Sequence, residues 1–335
     1  LTSTAASAAV KALRGAALER LGSLAVPSTH DEAWRFTSLA ALQRQALHAV
    51  EKPTPLAQED IARWTVPEAA QRIVFVDGVH APQLGTDAAT ACVTVCTLAQ
   101  ALATHPTAVT QHLGQHASAL QQHFTAQNTA NLFDAAVVIV PRNTQASTPV
   151  HLLFVATQAD VGSHARTLVI AEDGSALTLI EDYVALTDGP YLRNSVTEVA
   201  LGANAQVRHV RLQRESQRAF HIARCALTQA RDSHYHGISI ALGAEISRLD
   251  TTARQQGPGG HCALDGLAHL GGQQVADTHT CITHAMPNGI SRQLHKCIVA
   301  DTAHAVFNGR VQVHPSAQKT DSAQSSRTLL LGPKA

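Results

Sequence analysis

The chain has 335 residues, with 25 Lys+Arg against 25 Asp+Glu, so its formal charge is zero and no basic stripe offers a surface for tracking nucleic-acid phosphates. Hydrophobic residues make up 45% and aromatic ones 4%, which excludes disorder and favours small aliphatic side chains packed in layers over a core of large rings. Cys92, Cys96, Cys225, Cys262, Cys281 and Cys297 are dispersed, arguing for a reducing compartment over a secreted disulfide scaffold, and no apolar run approaches the roughly 18 residues of a membrane span.

The N-terminal stretch has no acids until Glu19 and is rich in Ala, a composition slightly like a transit peptide. Val10, Leu13, Ala17, Leu18 and Leu21 fall near helical spacing and predict an ordinary helix instead. The start at Leu1, without a methionine, leads us to expect N-terminal trimming. Thr29 and Glu32 have capping-box spacing, which predicts a short helix carrying Trp34 and Leu39. Ile73-Val74-Phe75-Val76 reads as a strand, and Asp77-Gly78 after it as a hairpin turn. From Leu98 to about Asn128 the pattern is helical, anchored by Leu102, Leu113 and Leu120.

Beyond Asp134 short apolar segments recur: Ala136–Val140, Val150–Ala156, Thr167–Ala171, Ala176–Ile180, Val207–Leu212, Ile238–Leu242, Val275–Ile282, Lys296–Val299 and Val306–Val313. Leu201-Gly202-Ala203 and Leu242-Gly243-Ala244 form a weak internal repeat. Many short strands without intervening helices suggest a sandwich, a barrel or a β-helix. The length of the region and its content of Ala, Thr, Val, Leu and His, which stack well in registered rungs, favour the β-helix. The expected organisation is a mainly helical, mixed region over residues 1–130 and a β core over 131–335.

The most metal-like stretch is Asp277-Thr278-His279-Thr280-Cys281-Ile282-Thr283-His284. On a strand, Asp277, His279 and Cys281 project from one face and His284 from the other. Asp277 and Cys281 would lie about 13 Å apart at a strand's rise, so a single strand cannot wrap them around one ion. Neighbouring strands would have to contribute, with His234, His236, His261, Cys262, His295 and Cys297 as the available donors. The bland alternative is a set of stacked polar ladders. Cys92 and Cys96 sit among Val93, Val95 and Leu98 and read as packing. Gly257-Pro258-Gly259-Gly260 lacks a following Lys-Ser or Lys-Thr and reads as a turn; no G-x-S-x-G elbow is present. Glu181-Asp182 would point to opposite faces of a strand. With few paired acids, two Trp and three Tyr, a β-helix polysaccharide enzyme has little support.

The remaining motifs carry a resemblance. Phe307-Asn308-Gly309-Arg310-Val311, Val313-His314-Pro315, Ala317-Gln318-Lys319-Thr320-Asp321 and Leu329-Leu330-Leu331 are similar to the signature near the end of the SufB/SufD β-helix. Leu264-Asp265-Gly266-Leu267, Gln273-Gln274-Val275-Ala276-Asp277 and Ser291-Arg292-Gln293-Leu294-His295-Lys296 continue it upstream. Asp31-Glu32-Ala33-Trp34-Arg35-Phe36-Thr37-Ser38-Leu39 resembles the N-terminal motif of the family's SufD branch. The likeness runs in order along nearly the whole chain.

The resemblance implies a right-handed parallel β-helix after an N-terminal helical region. It implies a non-catalytic scaffold that pairs with a SufB-type paralogue and docks a SufC-type ABC ATPase. An iron–sulfur cluster would be shared transiently with SufB, and none held tightly by this chain alone. The family continues past Leu331-Gly332-Pro333-Lys334-Ala335 with a further strand and an ATPase-binding helical domain, so on the resemblance the sequence is truncated. The histidine most often implicated as a SufD cluster ligand would fall in that missing part, leaving His279, Cys281, His284 and Cys297 as candidates here. The cytoplasm is the expected compartment and the plastid stroma the alternative. A homodimer through the same surface is conceivable in isolation, with neither nucleic acid nor membrane as partner. The rival reading is a stand-alone β-rich metalloprotein or metalloenzyme built on the His/Cys-rich strands.

Overall fold

The computed structural model describes residues 2–50, 52–86, 92–119 and 121–335. Leu120, expected as a helix anchor, lies outside the described residues.

From Ala136 to Leu330 the chain winds into a parallel β-solenoid of about seven turns. Successive strands alternate between a ten-stranded and a nine-stranded sheet, so each turn adds one strand to each. Within a sheet the rungs stack in register: Gln206 lies beside Ala176 on one side and beside His234 on the other. A turn therefore takes about 30 residues, and positions separated by that interval touch.

The predicted segments fall on strands, and two match their full extent, Ala136–Val140 and Val150–Ala156. Ten-residue strands without a counterpart in the sequence reading are Leu192–Leu201, Phe220–Gln229, His261–Leu270 and Asp321–Leu330. Their apolar pattern is broken by charged and polar residues, many of which are buried. The interior begins apolar, with Val138, Leu152, Val169, Leu179 and Val199 from both sheets, and Phe75, Phe154 and Tyr183 stack as a column at 5.6 and 4.9 Å. Ring stacking between rungs adds to the area buried and penalises slippage of the register.

The Leu-Gly-Ala repeat has a geometric cause. At Gly202 and Gly243 the chain turns a corner against the rung below, and a Cβ would lie 2.6 Å from the Asp173 backbone nitrogen and 2.3 Å from the Glu215 carbonyl oxygen. Glycine allows that approach.

The N-terminal part clads the first turns. A helix over Ser3–Leu21 starts at Thr2, whose hydroxyl accepts from the Ala5 amide, and buries Ala6 and Ala17 while Leu18 stays exposed. The helical stretch after Leu98 divides at Pro106 into Leu98–Thr104 and Pro106–His112, with His123–Ala130 following. A proline at the first helical position suits the second of these starts. These helices pack Ala101, Leu102, Val109 and Leu113 over Val137, Ile139, Leu168 and Ile170 of the ten-stranded sheet. Gln71–Val76 joins the nine-stranded sheet in parallel and Val79–His80 pairs back on it. Asp77 and Gly78 both have positive φ, 51° and 88°, the conformation a two-residue hairpin requires. The Asp77 carboxylate also accepts from the Thr157 amide at 2.7 Å, tying the hairpin to the solenoid.

Two local expectations are corrected. The helix near Trp34 is a single 3-10 turn, Glu32–Trp34, preceded by Asp31 rather than capped by Thr29; Asp31 Oδ2 accepts from the Ser28 amide at 2.7 Å. Cys92 is exposed rather than packed, while Cys96 is half-buried against the helical layer.

Candidate functional site

In a parallel strand alternate residues face in and out. On Val275–His284 the inward set is Ala276, Thr278, Thr280, Ile282 and His284, and the outward set includes Asp277, His279 and Cys281. Asp277 is buried under the N-terminal segment, where it meets Arg248, the Thr37 hydroxyl and, at 2.9 Å, His279 Nε2. Burial would raise the Asp277 pKa, but the His279 hydrogen bond and the Arg248 charge outweigh it, so the carboxyl titrates below its ordinary value. Cys281 is half-exposed on the same outward ladder, its Sγ 3.8 Å from Gln312 Oε1.

The other two candidates face the interior. His284 is fully buried, with Nε2 3.0 Å from Ser291 Oγ, which in turn donates to Ser322 Oγ at 2.9 Å. Burial lowers its pKa, favouring the neutral ring. Cys297 is buried from the opposite sheet, and burial raises its thiol pKa. It lies six residues along its strand from Ser291, roughly 20 Å away at a strand's rise. The fold thus brings His279 and Cys281 onto one outward face and leaves His284 and Cys297 apart inside. Among the described residues no group of three or more His, Cys, Asp or Glu is arranged to hold a metal ion. A tetrahedral set of soft donors around His279 and Cys281 would need further ligands beyond those the described residues bring together here.

The densest chemistry lies inside the solenoid, in residues the sequence reading passed over. Glu181 points inward and Asp182 outward, where it pairs with Arg214 at 2.6 Å. Glu181 Oε2 accepts from Arg211 Nη1 at 2.9 Å and from His209 Nε2 at 3.2 Å, while Thr197 donates to Oε1 at 2.9 Å. Arg211 Nη2 donates to Ser195 Oγ at 2.7 Å and to His221 Nε2 at 2.9 Å. Because a guanidinium only donates, His221 Nε2 is the accepting nitrogen and its Nδ1 carries the proton given to Glu215. Glu215 also accepts from Arg193 Nε at 3.2 Å and the Tyr191 hydroxyl at 3.1 Å.

The two imidazoles hold different charges. Burial pulls His209 down, but the Cys225 and Glu181 interactions outweigh it and hold it at about 9, so the ring is an imidazolium at neutral pH. Its Nδ1, 2.8 Å from the Tyr235 oxygen, then donates, and the tyrosine hydroxyl is left facing Cys225 Sγ at 3.7 Å. His221 is depressed, chiefly by burial, and stays neutral. Burial opposes ionisation of Glu181 and Glu215, yet His209 and Arg211 around the first, and His221 and Arg193 around the second, bring both to about 2. Glu181 and Glu215 are therefore carboxylates facing the cations Arg193, Arg211 and His209. This interior is cross-linked rung to rung, and the thiol that meets it at Tyr235, Cys225, is buried. The signal that would have found it is the interval of about 30 residues between Glu181 and Arg211, since a polar residue tolerated inside one rung needs its partner on the next.

Comparison with known proteins follows this architecture. The family description "SufBD protein N-terminal region" matches residues 1–152, and "SUF system FeS cluster assembly, SufBD core domain" matches residues 154–335. The chain belongs to the SufB/SufD family. The two matches meet within the strand Val150–Ala156, where the SufB/SufD solenoid is already under way. An iron–sulfur cluster assembly SufBD family protein of Synechocystis is 37% identical over 334 residues, covering 96% of this chain and 73% of that protein. The iron–sulfur cluster assembly protein SufD of Escherichia coli is 28% identical over 322 residues, covering 94% of this chain and 72% of that one. The chloroplastic protein ABCI7 of Arabidopsis thaliana is 33% identical over 211 residues, covering 60% of this chain and 44% of that one.

Proposed function

We propose that the chain is a SufD-type, non-catalytic scaffold in iron–sulfur cluster assembly, pairing with a SufB-type paralogue and working with a SufC-type ABC ATPase. A role in iron–sulfur cluster assembly accords with the family to which both halves of the chain belong, and that full-length match is the observation that carries the proposal. The scaffold role is our own reading. The interior ion pairs of the solenoid close within it, and its exposed soft donors stand on an outer face. His279 and Cys281, side by side on that face, supply two ligands and leave the rest to a second subunit. The cluster is cargo here, held at a shared surface and passed on.

The compartment consistent with this role is a reducing one, cytoplasm or plastid stroma. Among the described residues no helix is long and apolar enough to cross a membrane. The test is anaerobic co-expression of the full-length gene product with SufB- and SufC-type partners, followed by size exclusion with iron and sulfide assayed across the peak. Co-elution with iron and sulfide in the mixed complex, reduced by His279→Ala or Cys281→Ala, is the expected result. A lone peak carrying its own stoichiometric metal would overturn the proposal in favour of a stand-alone metalloprotein.

A further inference from the structure

A groove of about 340 Å³ opens on the outer face of the ten-stranded sheet. The segment Leu24–Trp34 and the start of the helix His123–Ala130 form its walls, with Leu24, Pro27, Trp34 and Phe124 as the apolar lining. Trp34 and Phe124 rings meet at 5.7 Å, tilted by 37°. The floor is built from strands Phe220–Gln229 and Ile246–Gln255, which contribute Arg224, Arg248 and Asp250.

The two floor arginines differ sharply in their partners. Arg248 is saturated: it binds both oxygens of Asp250 at 3.0 and 3.1 Å, meets Asp277 and the Ala33 carbonyl, and lies 4.0 Å from the Trp34 ring centre. Arg224 stands beside Asp250 in the rung register, but Asp250 is already engaged by Arg248. Arg224 makes no ion pair among the described residues, and its Nε is buried without a hydrogen-bond partner. Burial lowers its proton affinity, with Asp250 only partly offsetting the loss. A partly desolvated guanidinium without an ion-pair partner is costly, and in a groove of ligand size with an aromatic wall the missing partner has an obvious place.

We propose that this groove binds a small aryl anion, its carboxylate or phosphate held by the Arg224 guanidinium and its ring laid against Trp34 and Phe124. The planar fork of Arg224 suits either oxyanion. The groove shares the outer face of the ten-stranded sheet with His279, which is the register neighbour of its floor residue Asp250, but the proposal does not depend on the scaffold reading.

The test is saturation-transfer NMR on the unmodified chain with benzoate and phenyl phosphate, using benzyl alcohol as the neutral probe. Saturable binding of either anion, at least tenfold tighter than the alcohol, is expected, and the tighter of the two identifies the oxyanion. Arg224→Gln should weaken that anion at least tenfold, about 1.4 kcal/mol, without lowering the thermal midpoint, because it removes a part-buried charge that makes no ion pair among the described residues. Arg224→Lys, which keeps the charge and loses the fork, should fall between. No saturable binding of either anion to the unmodified chain, or equal binding of anion and alcohol, would overturn the proposal. So would a clear fall in thermal midpoint for Arg224→Gln, since Arg224 would then serve as a structural counter-charge.

Discussion

Glu181 and Arg211 occupy the same register position on consecutive rungs, both pointing inward, with Arg211 Nη1 2.9 Å from Glu181 Oε2. The pair is the centre of a buried network that also draws in His209, His221 and Glu215. Breaking it from one side leaves charges with no water to solvate them.

Glu181→Gln should therefore destabilise the chain by about 3–5 kcal/mol, as loss of one partner of a buried pair does. Adding Arg211→Gln should cost much less than the sum of the two single changes, since it also removes the stranded cation. Urea unfolding of the three variants checks this. Additive losses would mean that the pair contributes little as a unit.

The pH dependence of stability follows from groups shifted in opposite senses. Burial holds His164 and His295 at about 4, with the Asp265 charge only partly opposing it at His295; their ordinary value is 6.5. Between those values the unfolded chain binds more protons, so stability falls as pH drops through the window. His209 lies at about 9, so the folded chain holds the extra proton between 6.5 and 9 and stability falls as pH rises through that range. Glu181 and Glu215, at about 2, add a further loss as pH falls below 4.5. The thermal midpoint should peak near pH 6.5, the shared ordinary value of these histidines, and His209→Gln should flatten the alkaline limb. An alkaline slope unchanged by that substitution would contradict the assignment.

Glycine positions offer a steric test. A Cβ at Gly266 would lie 2.2 Å from Nδ1 of His295, its register partner, whose ring stacks on Phe307 at 4.0 Å. Gly266→Ala should cost about 1–3 kcal/mol through overpacking. At Gly162 nothing lies within 4 Å of the added atom, and Gly162→Ala should stay within about 0.5 kcal/mol. Thermal or urea melts distinguish the two.

Thiol chemistry should be graded by position. Cys92 is exposed, Cys281 half-exposed, and Cys225 and Cys262 buried; burial pushes the Cys262 thiol up to about 12. Alkylation of native protein followed by peptide mass mapping should label Cys92 first and Cys281 more slowly, with Cys225 and Cys262 labelled after denaturant is added. Early labelling of Cys225 would show that the interior opens readily.

What the sequence made legible was governed by how far each strand obeyed a simple pattern. Ala136–Val140 is apolar on both faces and Val150–Ala156 is so apart from His151, because both are covered outside, and they read as strands at once. Leu192–Leu201 is as deeply buried but carries Arg193, Ser195 and Thr197 inward and Asn194 and Glu198 outward. Nothing in its own ten residues marks it as core, because its partners lie on adjacent rungs and in the N-terminal helices. The same distance in sequence hid Arg224, whose want of a partner appears only when Arg248 is seen to have claimed Asp250. Asp277, His279 and Cys281 could be placed on one face from strand alternation, whereas their separation from Cys297 depended on which sheet each strand joined. The N-terminal motif stood out by resemblance, and its physical purpose becomes visible where Ala33, Trp34 and Thr37 grip Arg248 and Asp277.

That grip joins Thr37 to Asp277, 240 residues further along. A ribosome adding about 5–20 residues each second emits the anchor some 10–50 s after the segment that needs it. During that interval the nascent arm has no dock, and Trp34 and Phe36 remain available to any chaperone at the tunnel exit. Closure of the arm is thus a late event in biogenesis, and it marks chains whose solenoid has been synthesised as far as Asp277.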